Sequence, residues 1–181
     1  MATILKLRGA RALSEFRLAK LLASLKQIHS GVRVVSAEYW HFVEAAAEPE
    51  PAERALLERL LHYGEPAPPE LPRGELFLAV PRLGTISPWS SKASDIARNC
   101  GLADVLRIER GTAYTLELDG PAGRAALGAL LHDRMTETVL GSLEDAGQLF
   151  RHVAPRPLER VVRGWPPFPA RPRRVVLCSR A

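Results

Sequence analysis

The chain has 181 residues, 46% hydrophobic and 25% charged, which is enough apolar material for one ordinary domain with a real core and a short appendage. No apolar run approaches the roughly 18 to 20 residues that cross a bilayer, and Lys6, Arg8, Arg11, Arg17 and Lys20 break up the region where a secretory signal needs an apolar block, so a cytoplasmic chain is expected. The net charge of +5 argues for a nucleic-acid partner only until it is divided: residues 1–150 hold 17 Lys and Arg against 19 Asp and Glu, and the last 31 residues hold eight Arg against Glu159 alone.

In chain order, Thr3–Arg8 alternates like a short strand, and residues 12–29 place Leu13, Phe16, Leu21, Leu22 and Leu25 at helical spacing. Gly31 stops that helix. Residues 32–43 are β-branched and aromatic and predict a strand long enough to bend or form a hairpin. Residues 44–51 read as a loop. Helical spacing returns over 52–63, and Gly64 with Pro66, Pro68, Pro69 and Pro72 makes 64–74 a linker. Residues 75–80 predict a strand, 81–88 a loop, and about 89–99 a helix, for which Ser87 supplies the cap, Pro88 the first turn and Gly101 the exit. A strand pair broken near Arg110-Gly111 is expected over 105–118, then a short helix over 122–131, an edge strand within 132–140, and a last helical turn or two over 143–150.

The half from Glu75 thus repeats the order of the first half. The expected fold is α+β, with tandem-duplicated strand-helix-strand units (about 1–64 and 75–150) forming a mostly antiparallel sheet with helices on one face. An irregular Arg/Pro-rich tail follows. In residues 39–42, alternation sends Tyr39 and His41 to one sheet face and Trp40 and Phe42 to the other. Both faces being apolar, both should be covered, one by the chain's own helices and the second by another domain or another copy.

Residues with chemical potential are few. Gly84, Thr85, Ser87, Ser90 and Ser91 ahead of a helix, with Lys92 nearby, could receive a phosphate or carboxylate, but a capped helix start whose hydroxyls serve only the backbone explains them more simply. Trp89 stands where a Ser-x-x-Lys nucleophile would need serine, and Arg98 where a Gly-x-Cys-x-Gly elbow around Cys100 would need glycine. Cys100 reads as a small hydrophobe facing inward at the helix end. Histidines 29, 41, 62, 132 and 152 are scattered one per element, without metal-ligand spacing. No catalytic, cofactor-binding or metal-binding residue is expected in this chain.

Several segments nevertheless resemble a known family. Residues 8–17, 37–42, 57–64, 81–102, 107–114, 131–139 and 143–150 are similar to the start of the large single-chain phosphoribosylformylglycinamidine synthases, the run Thr-Ile-Ser-Pro-Trp-Ser-Ser-Lys-Ala-Ser-Asp-Ile-Ala over 85–97 being the most specific. The resemblance implies a domain that mimics a dimer of the family's small separate subunit. It also implies packing against an ATP-dependent synthetase body and a C-terminal glutaminase, in an enzyme that uses ATP, magnesium and glutamine to amidate formylglycinamide ribonucleotide. The nucleotide-binding residues and the Cys/His/Glu triad of that enzyme lie beyond this domain.

The expectation is therefore an N-terminal interaction module, itself without catalytic activity, whose docking contacts are Thr85, Ser87, Trp89, Ser90, Lys92, Asp95 and Asn99. Residues 151–181 depart from the family after about Val161 and are expected to be the start of a linker followed by a non-native or disordered tail from a frameshifted or truncated reading frame. The alternative is a free-standing nucleic-acid-binding protein that uses the basic tail, with Trp165 and Phe168 to stack on bases.

Overall fold

The structure, a computed structural model, describes residues 3–120 and 123–151; the expected Arg/Pro-rich tail beyond 151 lies outside the described residues. Five strands, β1 (Thr3–Arg11), β2 (Val32–Ala45), β3 (Glu75–Pro81), β4 (Val105–Leu118) and β5 (Glu137–Leu140), alternate with helices α1 (Glu15–Ile28), α2 (Pro51–Leu61), α3 (Pro88–Asn99) and α4 (Arg124–Leu131), and a 3-10 helix spans Glu144–Phe150. The strands form one sheet in the order β1-β2-β4-β3-β5, every pairing antiparallel. The α+β sheet expected from the alternation is the observed architecture.

The repetition is regular. β2 and β4 are each 14 residues long and begin at 32 and 105. The first residues of α1 and α3 (15 and 88) and of α2 and α4 (51 and 124) differ by the same 73 positions. So do the two serine N-caps, Ser14 and Ser87, whose side chains accept from the amides of Arg17 and Ser90. In the central pairing Tyr39 lies opposite Thr112, its own counterpart in the repeat, so a pseudo-two-fold axis passes between these two residues. His41 opposite Arg110 on one side of the axis corresponds to Tyr114 opposite Ala37 on the other.

All four α-helices lie on one sheet face, because Val35 and Val43 of β2, an even number of residues apart, both point to it. Val35, Phe77 and Leu116 pack under Leu25 of α1 and Leu127 and Leu131 of α4. Val43, Ile108, Leu5 and Leu7 pack under Leu57 and Leu61 of α2 and Ala97 of α3. Each helix offers a single apolar stripe, so the pairs α1/α4 and α2/α3 sit side by side over the sheet.

Several expectations are corrected. β2 is one continuous strand without a hairpin, since every residue from Val34 to Glu44 has a partner on β4. β4 is likewise unbroken at Arg110-Gly111: Gly111 is there because the neighbouring strand comes close, and a Cβ on it would lie 2.9 Å from Val80 Cγ1 and 3.1 Å from the Ala79 carbonyl oxygen. β1 runs on through Gly9-Ala10-Arg11, so α1 starts at Glu15, after Ser14 has capped it. The edge strand is limited to Glu137–Leu140, and the last element is a 3-10 helix.

The second sheet face is covered by the chain itself. Trp40, Phe42, Leu78, Val80 and Ala113 pack against Leu143, Ala146, Leu149 and Phe150 of the C-terminal segment. Two buried ion pairs fasten that cover. Arg8 donates to both oxygens of Glu38 at 2.8 and 2.7 Å and to the carbonyls of Pro69 and Glu70 at 3.1 and 3.0 Å, pinning the proline linker. The bond to Glu38 raises the Arg8 pKa above its ordinary value. Arg107 pairs with Glu109 and donates to the carbonyls of Thr85 at 2.7 Å and Leu149 at 3.1 Å, with Phe150 beneath its guanidinium. No second domain or copy is required on this face, contrary to the expectation drawn from Trp40 and Phe42.

Gly111→Val should cost about 1–3 kcal/mol, because the added branches meet Val80 and the Ala79 carbonyl within a packed pair of strands. Urea unfolding of the two proteins, with an unchanged m-value, measures it.

Candidate docking surface

The Thr85 and Ser87 hydroxyls of the 81–88 loop, ahead of α3, are engaged within the chain. Ser87 Oγ accepts from the Ser90 amide at 3.0 Å and donates to Glu109 Oε2 at 2.8 Å, while the Ser87 amide donates to Glu109 Oε1 at 3.3 Å. Glu109 is wholly buried, and Arg107 completes its shell at 3.1 Å from Nε. A carboxylate of the chain itself thus occupies the place where a phosphate would have to sit at this helix start. The residues do not fit a nucleotide phosphate there; Ser87 caps the helix as expected, but its hydroxyl serves the Glu109 carboxylate as well as the backbone.

The seven expected contacts separate into three groups. Thr85, Lys92, Asp95 and Asn99 are exposed; Ser87 and Trp89 are partly buried. Ser90 is 1% exposed, so its side chain faces the interior and belongs to no docking surface, a correction that follows from helical phase: Ser90, Ser94 and Ala97 form the buried stripe of α3. Ser94 Oγ there accepts from the Ile108 amide at 2.9 Å, fastening the helix to β4. Asp95 pairs with Arg98 one turn along. Cys100, expected to face inward, is exposed at the helix C-cap. Helical phase would keep position 100 near the face that buries Ala97, but Cys100 is already the C-cap, and the chain leaves the helix at Gly101 with a φ of +92°.

Beside the exposed residues lies an apolar patch. Ile86 is 64% and Met135 79% exposed, and with Pro81, Pro88, Thr85 and Thr136 they line a shallow depression of about 490 Å³ between the β3–α3 loop and the α4–β5 turn. Large apolar side chains in one place on a surface mark an interaction site more often than scattered ones do.

On the helix face, residues from separate elements meet in a way no local motif announces. Tyr63 Oη lies 2.7 Å from His41 Nε2 and accepts from Arg110 Nη1 at 3.2 Å. The Arg110 guanidinium stacks between the rings of Tyr39 (4.3 Å) and Trp89 (4.9 Å), and the Trp89 and His41 ring centroids are 5.6 Å apart. Gly9 makes room for the imidazole, since a Cβ there would come within 2.6 Å of His41 Cε1. Burial, with the Arg110 charge adding to it, lowers the His41 pKa from 6.5 to about 4. Burial raises that of Tyr63, against the opposing pull of Arg110. Tyr39, His41 and Trp89 stand out singly in the sequence, but only the β2–β4 register, which sets His41 opposite Arg110, brings Arg110 and Tyr63 to them.

Among the described residues no group of three His, Cys, Asp or Glu is placed to hold a metal ion, and no helix is long and apolar enough to cross a membrane. The fold is a repeated α+β domain with exposed apolar side chains on its helix side and at the α3 start. Residues 38–150 match the formylglycinamide ribonucleotide amidotransferase N-terminal family, and the chain belongs to that family, which is part of an enzyme of purine biosynthesis.

Two outcomes test the buried groups. Glu109→Gln should destabilise the fold by about 1–3 kcal/mol, since it leaves the partly buried Arg107 guanidinium without its counter-charge, while replacing both residues with Met and Leu should cost less than the sum of the single changes. His41 is held neutral, with a folded-state pKa below its unfolded value of 6.5, so the unfolded chain binds the extra proton first. Stability should be complete above pH 6.5 and fall by roughly 3 kcal/mol between pH 6.5 and 4. His41→Gln should flatten that part of the curve in urea titrations taken across this range.

Proposed function

We propose that this chain is the N-terminal docking module of formylglycinamide ribonucleotide amidotransferase, joining synthetase and glutaminase parts and helping to keep ammonia from water while it passes to the amide. The match over residues 38–150 supports the enzyme to which the module belongs. The observation that carries the docking role is the Ile86–Met135 patch beside the exposed Thr85: apolar side chains this large are left in solvent at a loop that Arg107 and Glu109 hold rigidly. Lys92, Asp95 and Asn99 supply the polar rim along α3.

The module's chemistry is positional. ATP, magnesium and the glutamine-cleaving residues belong to the catalytic parts, and this chain shapes the enclosure in which a nucleophile is transferred faster than it diffuses away. A cytoplasmic location accords with this role.

Purified chain should co-purify with a tagged synthetase-glutaminase body and raise glutamine-dependent amidine formation, and Met135→Asp with Ile86→Asp should abolish both effects without shifting the chain's unfolding midpoint. Failure of the wild-type chain to bind the body or to change its rate, or unaided turnover of glutamine by the chain, defeats the reading.

A further inference from the structure

The cluster around Arg110 has a property the fold does not need. Among the described residues Arg110 forms no ion pair, and its one hydrogen bond is to a neutral phenol. The guanidinium carries five N–H donors, so most of its donor capacity meets no acceptor among the described residues. The pseudo-two-fold supplies an internal control. The counterparts of Arg110, His41, Trp89 and Tyr63, 73 positions away, are Ala37, Tyr114, Phe16 and Thr136, so the other half builds the same strands and helices without a cation or an aromatic sandwich at this place.

The cluster also forms one end of an apolar groove. Leu57, Leu60 and Tyr63 from the α2 side and Trp89, Ala93 and Ile96 from the α3 side enclose about 360 Å³ above Ile108, with Lys92 at the rim and Ile96 54% exposed. That space takes one or two leucine- or phenylalanine-sized side chains. Tyr63 and Trp89 belong at once to the groove wall and to the Arg110 cluster, so an occupant that fills the groove necessarily presents its next residues to the guanidinium. The groove shares no lining residue with the Ile86–Met135 depression.

We infer that the α2/α3 groove with Arg110 is a receptor for an acidic, apolar polypeptide segment, an apolar side chain entering between Leu60 and Ile96 and an Asp or Glu about one helical turn away pairing with Arg110. Contact of the guanidinium with the rings of Tyr39 and Trp89 and its bond to Tyr63 hold it in place, leaving donors for a carboxylate and sparing part of the rotamer entropy a free arginine would lose on binding. A free phosphate would use the cation but leave the groove empty. The inference is independent of the docking role assigned to the Ile86–Met135 patch.

The test is selection of a random 12-residue peptide library on the purified full chain, followed by titration of enriched peptides with Trp fluorescence as the readout. Enriched sequences should pair Leu or Phe with Asp or Glu, and binding should weaken at least tenfold on Arg110→Gln and, separately, on Ile96→Asp. The latter lies on an exposed rim position and leaves the core intact. Changing the peptide's acid to its amide should give a similar loss. No enriched peptide, peptides without an acidic residue, or binding indifferent to both variants overturns the inference. Binding of inorganic phosphate at Arg110 with no peptide bound overturns it as well, in favour of a simple anion site.

Discussion

The antiparallel pairing of β2 with β4 is the constraint from which the rest of the molecule follows. Fourteen residues on each side meet in one register, and because the strands occupy the same place in two repeats, that register creates the pseudo-two-fold axis between Tyr39 and Thr112. The axis puts α1 beside α4 and α2 beside α3, each pair over its own apolar cluster. A slip of β2 by one residue against β4 would turn Val35 and Val43 away from the helices while Ile108 and Leu116 stayed under them, so the core and the register specify each other.

Symmetry of backbone is not symmetry of surface. Both halves use a serine-capped helix and a matching long strand, yet only one side of the axis holds His41 opposite Arg110 under Trp89 and Tyr63. The opposite face is asymmetric as well: the Arg8–Glu38 pair holds the proline linker and the Arg107–Glu109 pair holds the α3 loop and the C-terminal 3-10 helix. A buried ion pair contributes little net stability compared with a well-packed apolar pair, but leaving either member alone is costly. Such pairs therefore act chiefly to fix where irregular segments lie.

These two features bear on function together. The segment at 85–88 is fastened by Glu109 and cannot accept a phosphate, and what it holds rigid is the Ile86–Met135 patch. The hydroxyls of this segment thus turn out to be structural, while the exposed apolar side chains and Arg110 are left without such partners among the described residues. That division supports the docking role proposed for this member of the formylglycinamide ribonucleotide amidotransferase N-terminal family.

What the sequence determined by itself were the elements and their order. The 3.6-residue and two-residue periods, the cap at Ser87 and the proline linker are local signals, whereas the family resemblance rests on particular residue runs such as that over 85–97. Boundaries failed where a neighbour decided them: Gly111 looked like a break but answers to Val80 on β3, and Cys100 looked buried until the exit at Gly101 fixed its direction. Only the tertiary structure could show that the second sheet face is covered from within, that Ser90 is buried, and that Tyr63, His41, Trp89 and Arg110 converge. Those residues come from four separate segments, and their meeting depends on strand register and helix placement, which no window along the chain contains.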